Sequence, residues 1–144
     1  MRRAIAGVCG LFLAATAAGA EDIRITCKIS PIKSSYVQPT EIVLYLDADR
    51  TRVDVEDSLM RQFWSSAMRG TIETRNAART TYVWTVSGLE RDPKLFYLGS
   101  APNKVTQRLT IRSGGRGDLV TIASGQATHQ AYEYRANASC LEGK

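Results

Sequence analysis

Histidine is nearly absent from this chain, since His129 is the only one among 144 residues. One imidazole cannot form a His-rich zinc site, and no cysteine or carboxylate cluster surrounds it at ligand spacing. As a general base it would need a nucleophile and an orienting acid brought to it by the fold. The sequence has neither a G-x-S-x-G nucleophile elbow nor a G-x-x-x-x-G-K-[ST] phosphate loop. We therefore expect no catalytic residue, no cofactor and no metal, and interpret His129 as a strand-end surface histidine.

A long apolar run is also missing, except for residues 5–18 near the start. That run is shorter than the roughly 20 residues that span a bilayer, so we expect no membrane span. A basic start at residues 1–3 precedes it, and a small-x-small motif at residues 18–20 follows it. This layout is typical of a secretory signal peptide, with an N-terminal anchor as the alternative. The sequence thus predicts a periplasmic or secreted protein, with residues 1–20 as signal peptide and residues 21–144 as a single β domain.

Cysteine is scarce as well, because Cys9 lies in the predicted signal peptide and only Cys27 and Cys140 remain. An even number of cysteines in an exported chain predicts a disulfide. The bond would close a loop of about 113 residues, which the chain-entropy model values at up to roughly 4.7 kcal/mol. Both cysteines fall on the apolar positions of alternating segments near the two ends of the domain. We therefore predict that the bond joins the first and last strands and lets the sheet close on itself, which removes exposed edges.

The excess of charge of one sign is small. Without residues 1–20, the chain keeps 17 basic and 14 acidic side chains, a net charge of about +3. This excess is too small for a nucleic-acid-binding face, which needs clustered basic charge. Twelve of the 17 cations are arginines, which bind carboxylate or phosphate bidentately, although a GC-rich genome would produce the same bias. We expect another envelope protein or a small apolar molecule as the partner, no nucleic acid, and make no prediction of oligomeric state.

Most of the remaining sequence has the two-residue apolar period of half-buried β-strands. Residues 80–86 carry the strongest signal, since nearly all are β-branched or aromatic. Residues 41–56 form the pattern of a β-hairpin. The other segments with strand patterns are 23–29, 71–74, 94–98, 105–112, 118–123 and 130–140. About eight short strands with frequent turns predict an all-β fold, either a small antiparallel β-barrel or a sandwich.

One segment departs from the strand period. Between residues 57 and 70 the apolar residues recur at helical spacing. Asp57 is placed to cap the start of a helix, Arg69 suits its last turn, and Gly70 suits the residue after its end. We therefore predict one short helix over residues 57–69, with a loop containing one short strand as the alternative.

Three features could bind a ligand. Trp84, Tyr132 and Tyr134 lie on inward positions and could line a small cavity, where the tyrosine hydroxyls would need partners. Carboxylates of the first hairpin could bind Ca²⁺ or hydrolyse a glycoside, although solvated surface charges are the simpler interpretation. These carboxylates are Asp47, Asp49, Asp54, Glu56 and Asp57. The glycine-rich stretch 113–117 could cradle an anion through its N–H groups, although a hairpin turn is the simpler interpretation.

Three functions remain open at this point. The first interpretation is a non-catalytic module that binds or inhibits another envelope protein. The alternatives are a lipocalin-like carrier of a small apolar or amphipathic molecule and an envelope hydrolase that uses His129 or the acidic hairpin. Small periplasmic lysozyme inhibitors share the size, the export signal and the terminal cysteines. Their Ser-Gly-x-x-Tyr loop is missing here, because other residues follow Ser87-Gly88 and Ser124-Gly125, so we assign no family from the sequence.

Overall fold

The alternating segments form β-strands, because each hides one side-chain parity in a shared core and exposes the other. The computed structural model describes residues 22–32, 37–62, 66–87, 102–125 and 131–143. Its strands are β1 (Ile23–Pro31), β2 (Glu41–Leu46), β3 (Val53–Asp57), β4 (Met68–Arg69), β5 (Thr71–Arg75), β6 (Arg79–Ser87), β7 (Pro102–Arg112), β8 (Arg116–Gly125) and β9 (Ala131–Gly143). One 3₁₀ turn, Met60–Gln62, lies between β3 and β4.

All nine strands belong to one antiparallel sheet that is nearly closed into a barrel. Their order across the sheet is β4-β3-β2-β1-β9-β8-β7-β6-β5. The two outermost members, β4 and β5, are separated in sequence by Gly70 alone. They act as one broken strand, whose first part pairs with β3 and whose second part pairs with β6. The predicted all-β class is therefore confirmed, and of the barrel and the sandwich that the sequence left open, the structure forms the barrel. The described residues contain eight strands if β4 and β5 are counted together.

Gly70 allows the broken strand to lie close against β3. Its N–H donates to the Val53 carbonyl oxygen at 3.0 Å. A Cβ atom at this position would come within 2.9 Å of Val55 Cγ2. A larger residue would therefore force β4 away from β3 at the point where the chain changes strand partner.

The predicted disulfide is present between Cys27 and Cys140. The two residues face each other in the β1–β9 register, so the bond joins the first and last strands as expected. These strands lie side by side in the middle of the sheet order. The bond thus reinforces a pairing that backbone hydrogen bonds already make, and the remaining gap of the barrel lies instead along β4 and β5.

Side chains fill the interior of the barrel. A barrel of about eight strands is just wide enough for its inward side chains to fill it. Apolar residues from all the long strands form one buried cluster, into which Val37 from the segment before β2 also packs. The largest fully buried side chains are Ile42, Leu44, Leu46, Val53, Val55, Met60, Val86, Val105, Gln107, Leu109 and Leu119.

The helix predicted over residues 57–69 is wrong. Asp57 is the last residue of β3, one 3₁₀ turn follows it, and the chain is again a strand at β4. The predicted cap is still used, since the Asp57 carboxylate accepts the Met60 N–H at 2.7 Å. Leu59 and Met60, which suggested a helical stripe, are buried against the barrel core instead. Burial in the tertiary structure therefore outweighs the local helical pattern.

Several predictions fall on residues outside the described ranges. These are the signal peptide over residues 1–20, the strand over residues 94–98 and the strand-end position of His129. The glycine-rich stretch 113–117 is described, and its centre forms the hairpin turn between β7 and β8. In the described part of the chain, no helix has the length and apolar character needed to cross a bilayer.

Candidate binding cleft

A cleft of about 440 Å³ opens at one end of the barrel. This end, called the turn end below, carries the hairpin turns at residues 47–52, 76–78 and 113–115. The volume of the cleft falls within the roughly 300–1,000 Å³ that is usual for ligand-binding clefts. The lining side chains that matter below are Arg50, Arg79, Tyr82, Ile111, Arg112 and Glu142.

Hydrogen bonds between turns hold the rim of the cleft. The Ser113 N–H donates to the Ala78 carbonyl oxygen at 3.2 Å, which joins two of the turns. The Cys140 N–H donates to the Gly115 carbonyl oxygen at 2.8 Å, which ties β9 to the 113–115 turn. Gly115 has φ +80°, and a Cβ there would collide with the Cys140 carbonyl oxygen. The rim is therefore fixed beside the disulfide and is formed before any ligand arrives.

The charges along the cleft are mostly positive and only partly neutralised. Arg50 Nη2 lies 2.6 Å from the Glu142 carboxylate, and Arg112 Nη2 lies 2.5 Å from the Asp118 carboxylate. The Arg79 side chain forms no ion pair with any described residue. One guanidinium on the rim is thus available to an external anion.

Arg79 and Arg112 stand directly opposite each other in the β6–β7 register, and both are exposed. Like charges at directly opposed positions of an antiparallel pair repel each other. Asp118 neutralises one of the two, so their repulsion is only partly relieved. A carboxylate bound between them would therefore remove an unfavourable interaction as well as add a favourable one.

The 47–52 turn fixes the backbone that carries Arg50. Asp47 Oδ1 accepts the Thr51 N–H at 2.6 Å, and its other oxygen accepts the Thr51 hydroxyl. These bonds, with the Thr51 hydroxyl contributing most, hold the pKa of Asp47 below its usual value. Arg75 Nη1 donates to the Arg50 carbonyl oxygen at 2.9 Å. Arg50 is therefore held over the cleft, although its own φ of 55° is unusual for a residue with a side chain.

The floor of the cleft is apolar and neutral. Tyr82 is buried there beside Ile25 and Ile111. Burial raises the pKa of the Tyr82 hydroxyl, while the positive charges of Arg50 and Arg75 oppose that rise. The phenol therefore stays neutral across physiological pH. The cleft combines a cationic rim with a floor that can contact aliphatic carbon.

A second group of polar side chains lies inside the other half of the barrel. Asp57, Trp84, Gln107 and Thr121, called the buried polar row below, are at most 2% exposed. Trp84 Nε1 donates to Asp57 Oδ2 at 2.8 Å, and Thr121 Oγ1 donates to Gln107 Oε1 at 2.5 Å. Gln107 Nε2 donates to the Val37 carbonyl oxygen at 3.1 Å. These groups satisfy one another, so the row stabilises the barrel and leaves its members committed to internal contacts.

Burial raises the pKa of the Asp57 carboxyl, and the hydrogen bonds from Met60 and Trp84 reduce that rise. A buried carboxyl with a raised pKa is often a sign of catalysis, but structural networks shift pKa values in the same way. Here both carboxylate oxygens accept internal donors. Asp57 is therefore assigned to the structure of the barrel.

The three residues predicted to line a ligand cavity differ in burial. Trp84 is buried and belongs to the buried polar row. Tyr134 pairs with Thr121 across β8 and β9 and packs, half-buried, against the core. Tyr132 is 51% exposed. None of the three lines the cleft at the turn end, and their role in binding stays a prediction.

The acidic residues of the first hairpin also separate. Asp54 pairs with Arg69 at 2.6 Å, Asp57 points into the barrel, and Asp47 holds its own turn. Among residues with described positions, no group of three or more His, Cys, Asp or Glu could hold a metal ion.

The residues that form the cleft were not identified from the sequence. The available signal was the stretch 113–117, interpreted as a turn that could also cradle an anion. The N–H groups of Ser113 and Gly115 are used internally, which leaves fewer backbone donors in the turn for an anion. Arg50 and Glu142 are 92 residues apart in sequence, and no local pattern links them.

Comparison with known proteins assigns no family to the chain. A scan against protein-family models finds no match, and neither does a search of curated proteins or of solved structures. Evidence for a function therefore comes from the geometry of the cleft.

Proposed function

We propose that this chain is an exported, non-catalytic module that binds another protein of the bacterial envelope through the cleft at the turn end. The observation that carries the proposal is a rim, fixed by hydrogen bonds, that presents Arg79 and Arg112 side by side. Among the described residues, Asp118 pairs with Arg112 and no carboxylate pairs with Arg79. Arginine beside apolar surface is enriched at protein interfaces and among residues that dominate binding energy.

The export part of the proposal has two supports. The start of the sequence has the layout of a signal peptide. The disulfide is consistent with an oxidising compartment, since such bonds are rare in reducing cytosol.

The cleft edge also suits a protein partner. Leu141 is 77% exposed beside Arg50 and Glu142 at the mouth. An exposed leucine next to arginines offers the mixed contact that a partner surface can cover. A carrier has less support, because buried side chains occupy the barrel interior in the described part of the chain. A hydrolase that uses the acidic hairpin has less support, because Asp47, Asp54 and Asp57 each contact different partners.

Photo-crosslinking in the organism of origin tests the proposal. A photoreactive phenylalanine analogue replaces Leu141 at the cleft, or Ile32 as the matched control. Ile32 is 69% exposed and follows β1 at the opposite end of the barrel. We expect one envelope protein, identified by mass spectrometry, to crosslink at position 141 and not at position 32.

The same crosslink should be lost when Arg79→Glu is combined with the probe at position 141. Far-UV circular dichroism of the purified variants, compared with the wild type, shows whether each has kept the β fold. Crosslinking at position 32 alone, or crosslinking at position 141 that survives Arg79→Glu, would contradict binding through this cleft.

A further inference from the structure

We infer that the cleft recognises an acidic peptide segment of the partner, and that the chain's own Glu142 occupies the Arg50 part of the site until a carboxylate of that segment displaces it. This inference rests on the proposed function and specifies the ligand of the same cleft. It concerns two positions along the same cleft, one held by Arg50 and one held by Arg79 with Arg112.

The Arg50–Glu142 contact has the properties of a replaceable pair. Its atoms lie 2.6 Å apart, but the two side chains remain 35% and 49% exposed. Exposed ion pairs contribute only about 0–1 kcal/mol, because water and side-chain entropy offset the attraction. The backbone of Glu142 is held by pairing with Ile25 in β1. Displacement therefore requires only rotation of the Glu142 side chain, with no change in the sheet.

The second position is short of negative charge. Arg79 and Arg112 are opposed across β6 and β7, and among the described residues Asp118 is the one carboxylate that pairs with either. A planar guanidinium binds carboxylate through two parallel N–H donors, which makes arginine well suited to this ligand. An external carboxylate at Arg79 would complete an alternating arrangement of charges along the rim.

The cleft as a whole favours a peptide over a bare anion. Its lining carries three arginines and one glutamate, a net charge of +2. The floor of Tyr82 and Ile111 can contact the methylene groups that link a glutamate carboxylate to its backbone. Two carboxylates from neighbouring acidic residues would then bind simultaneously, and the positive rim would speed their approach at low salt.

Titration of the disulfide-bonded protein with acetylated, amidated hexaglutamate tests the inference. The arginine Nε–Hε signals in NMR spectra report both affinity and position. We expect Arg50, Arg79 and Arg112 signals to shift at low salt. Arg79→Gln should weaken binding about tenfold, equivalent to ~1.4 kcal/mol. The matched control is Arg135→Gln, because Arg135 is an exposed arginine paired with Glu133 away from the cleft; it should bind as the wild type does.

The Glu142→Gln variant distinguishes displacement of the Glu142 side chain from simple attraction between the arginines and the peptide. It removes the internal competitor, so hexaglutamate should bind up to about fivefold more tightly, as expected from a pair worth at most ~1 kcal/mol. Unchanged or weaker binding in this variant would overturn the displacement. Equal competition by inorganic phosphate or by oligothymidylate would overturn recognition of an acidic peptide in favour of a general anion site.

The two proposals fail in different ways. If the crosslink at position 141 depends on Arg79 but hexaglutamate does not bind, the cleft binds a protein and the inference that it recognises an acidic segment is refuted. If the crosslink does not depend on Arg79, the proposed function itself is refuted.

Discussion

The Trp84–Asp57 and Arg50–Glu142 contacts have similar lengths, 2.8 and 2.6 Å, but they lie in different halves of the barrel. Asp57 is fully buried, so an unmade contact would leave buried polar groups without water. Arg50 and Glu142 are partly exposed, so water can replace their contact. Burial therefore decides that the first contact stabilises the fold while water can replace the second.

The position of Asp57 explains why one half of the barrel needs a buried carboxylate. The strand between β3 and β6 is broken at Gly70, so the backbone pairing across this side is interrupted. Trp84 on β6 donates to Asp57 on β3 and joins the two strands through side chains. The hydrogen bond thus replaces part of the backbone pairing at the gap of the barrel.

Removal of the disulfide should have the largest effect on stability, and it should destabilise both halves of the barrel. In Cys27→Ala/Cys140→Ala we expect the free energy of unfolding to fall by about 2–5 kcal/mol, because the bond closes a loop of 113 residues. Urea unfolding followed by tryptophan fluorescence measures this loss. The wild type in reductant should match the double variant, and equal stability with and without the bond would contradict the expectation.

Asp57→Ala should cause the next largest loss of stability. Asp54→Ala on the same strand is its matched control. Asp57→Ala leaves the Trp84 Nε1–H and the Met60 N–H without acceptors, so we expect a loss of about 3 kcal/mol. Asp54 makes an exposed pair with Arg69, so its removal should cost about 0–1 kcal/mol. Urea unfolding of both variants tests the contrast, and similar losses would show that burial does not separate these contacts.

The two glycines of the 113–115 turn distinguish backbone strain from steric contact at the turn end. Gly115→Ala should cost more than the ~1–2 kcal/mol expected of a positive φ, because its Cβ also meets the Cys140 carbonyl oxygen. Gly114 has φ +88° with nothing within 4 Å of a Cβ, so Gly114→Ala should incur the backbone strain alone. Thermal unfolding compares the two. Equal melting temperatures for the two variants would mean that the turn can shift away from β9 without loss of stability.

Titration of Asp57 should produce the smallest effect. Its pKa is raised by burial, so the folded chain binds this proton more tightly than the unfolded chain. The associated stability is complete below about pH 4, the pKa of an unfolded aspartate. It is lost as pH rises through the folded pKa. The difference in unfolding free energy between wild type and Asp57→Asn should therefore decrease from pH 4 towards neutrality.

Urea unfolding of wild type and Asp57→Asn at several pH values from 3 to 7 measures that difference. Titrations common to both proteins cancel in the subtraction. A difference that grows with pH would show that the Asp57 pKa is lowered in the folded state.

Alternation along each strand was sufficient to predict most of the fold. Cys27 and Cys140 fall on the inward parity of their segments, and they meet across β1 and β9. The helix prediction failed because spacing alone cannot distinguish an apolar stripe from two residues that enter a barrel core. Leu59 and Met60 do the latter, and Asp57 keeps its capping bond within a strand end.

The candidate site was much harder to predict than the fold. Arg50 and Glu142 meet because β1 pairs with both β2 and β9, which brings the 47–52 turn next to the end of the last strand. Arg79 opposes Arg112 because of the β6–β7 register. Neither relation has a local signature, since each depends on residues that are brought together only when the sheet closes.

The sequence by itself determined the all-β class, the inward side of the clearly alternating strands and the pairing of the two cysteines, because these depend on side-chain alternation and on a count of thiols. The tertiary structure decided which polar groups are buried and which are exposed, because burial depends on the whole barrel. That distinction separates Asp57, which is buried and joins two strands of the barrel, from Arg50, Arg79 and Arg112, whose side chains stay partly or largely exposed at the turn end.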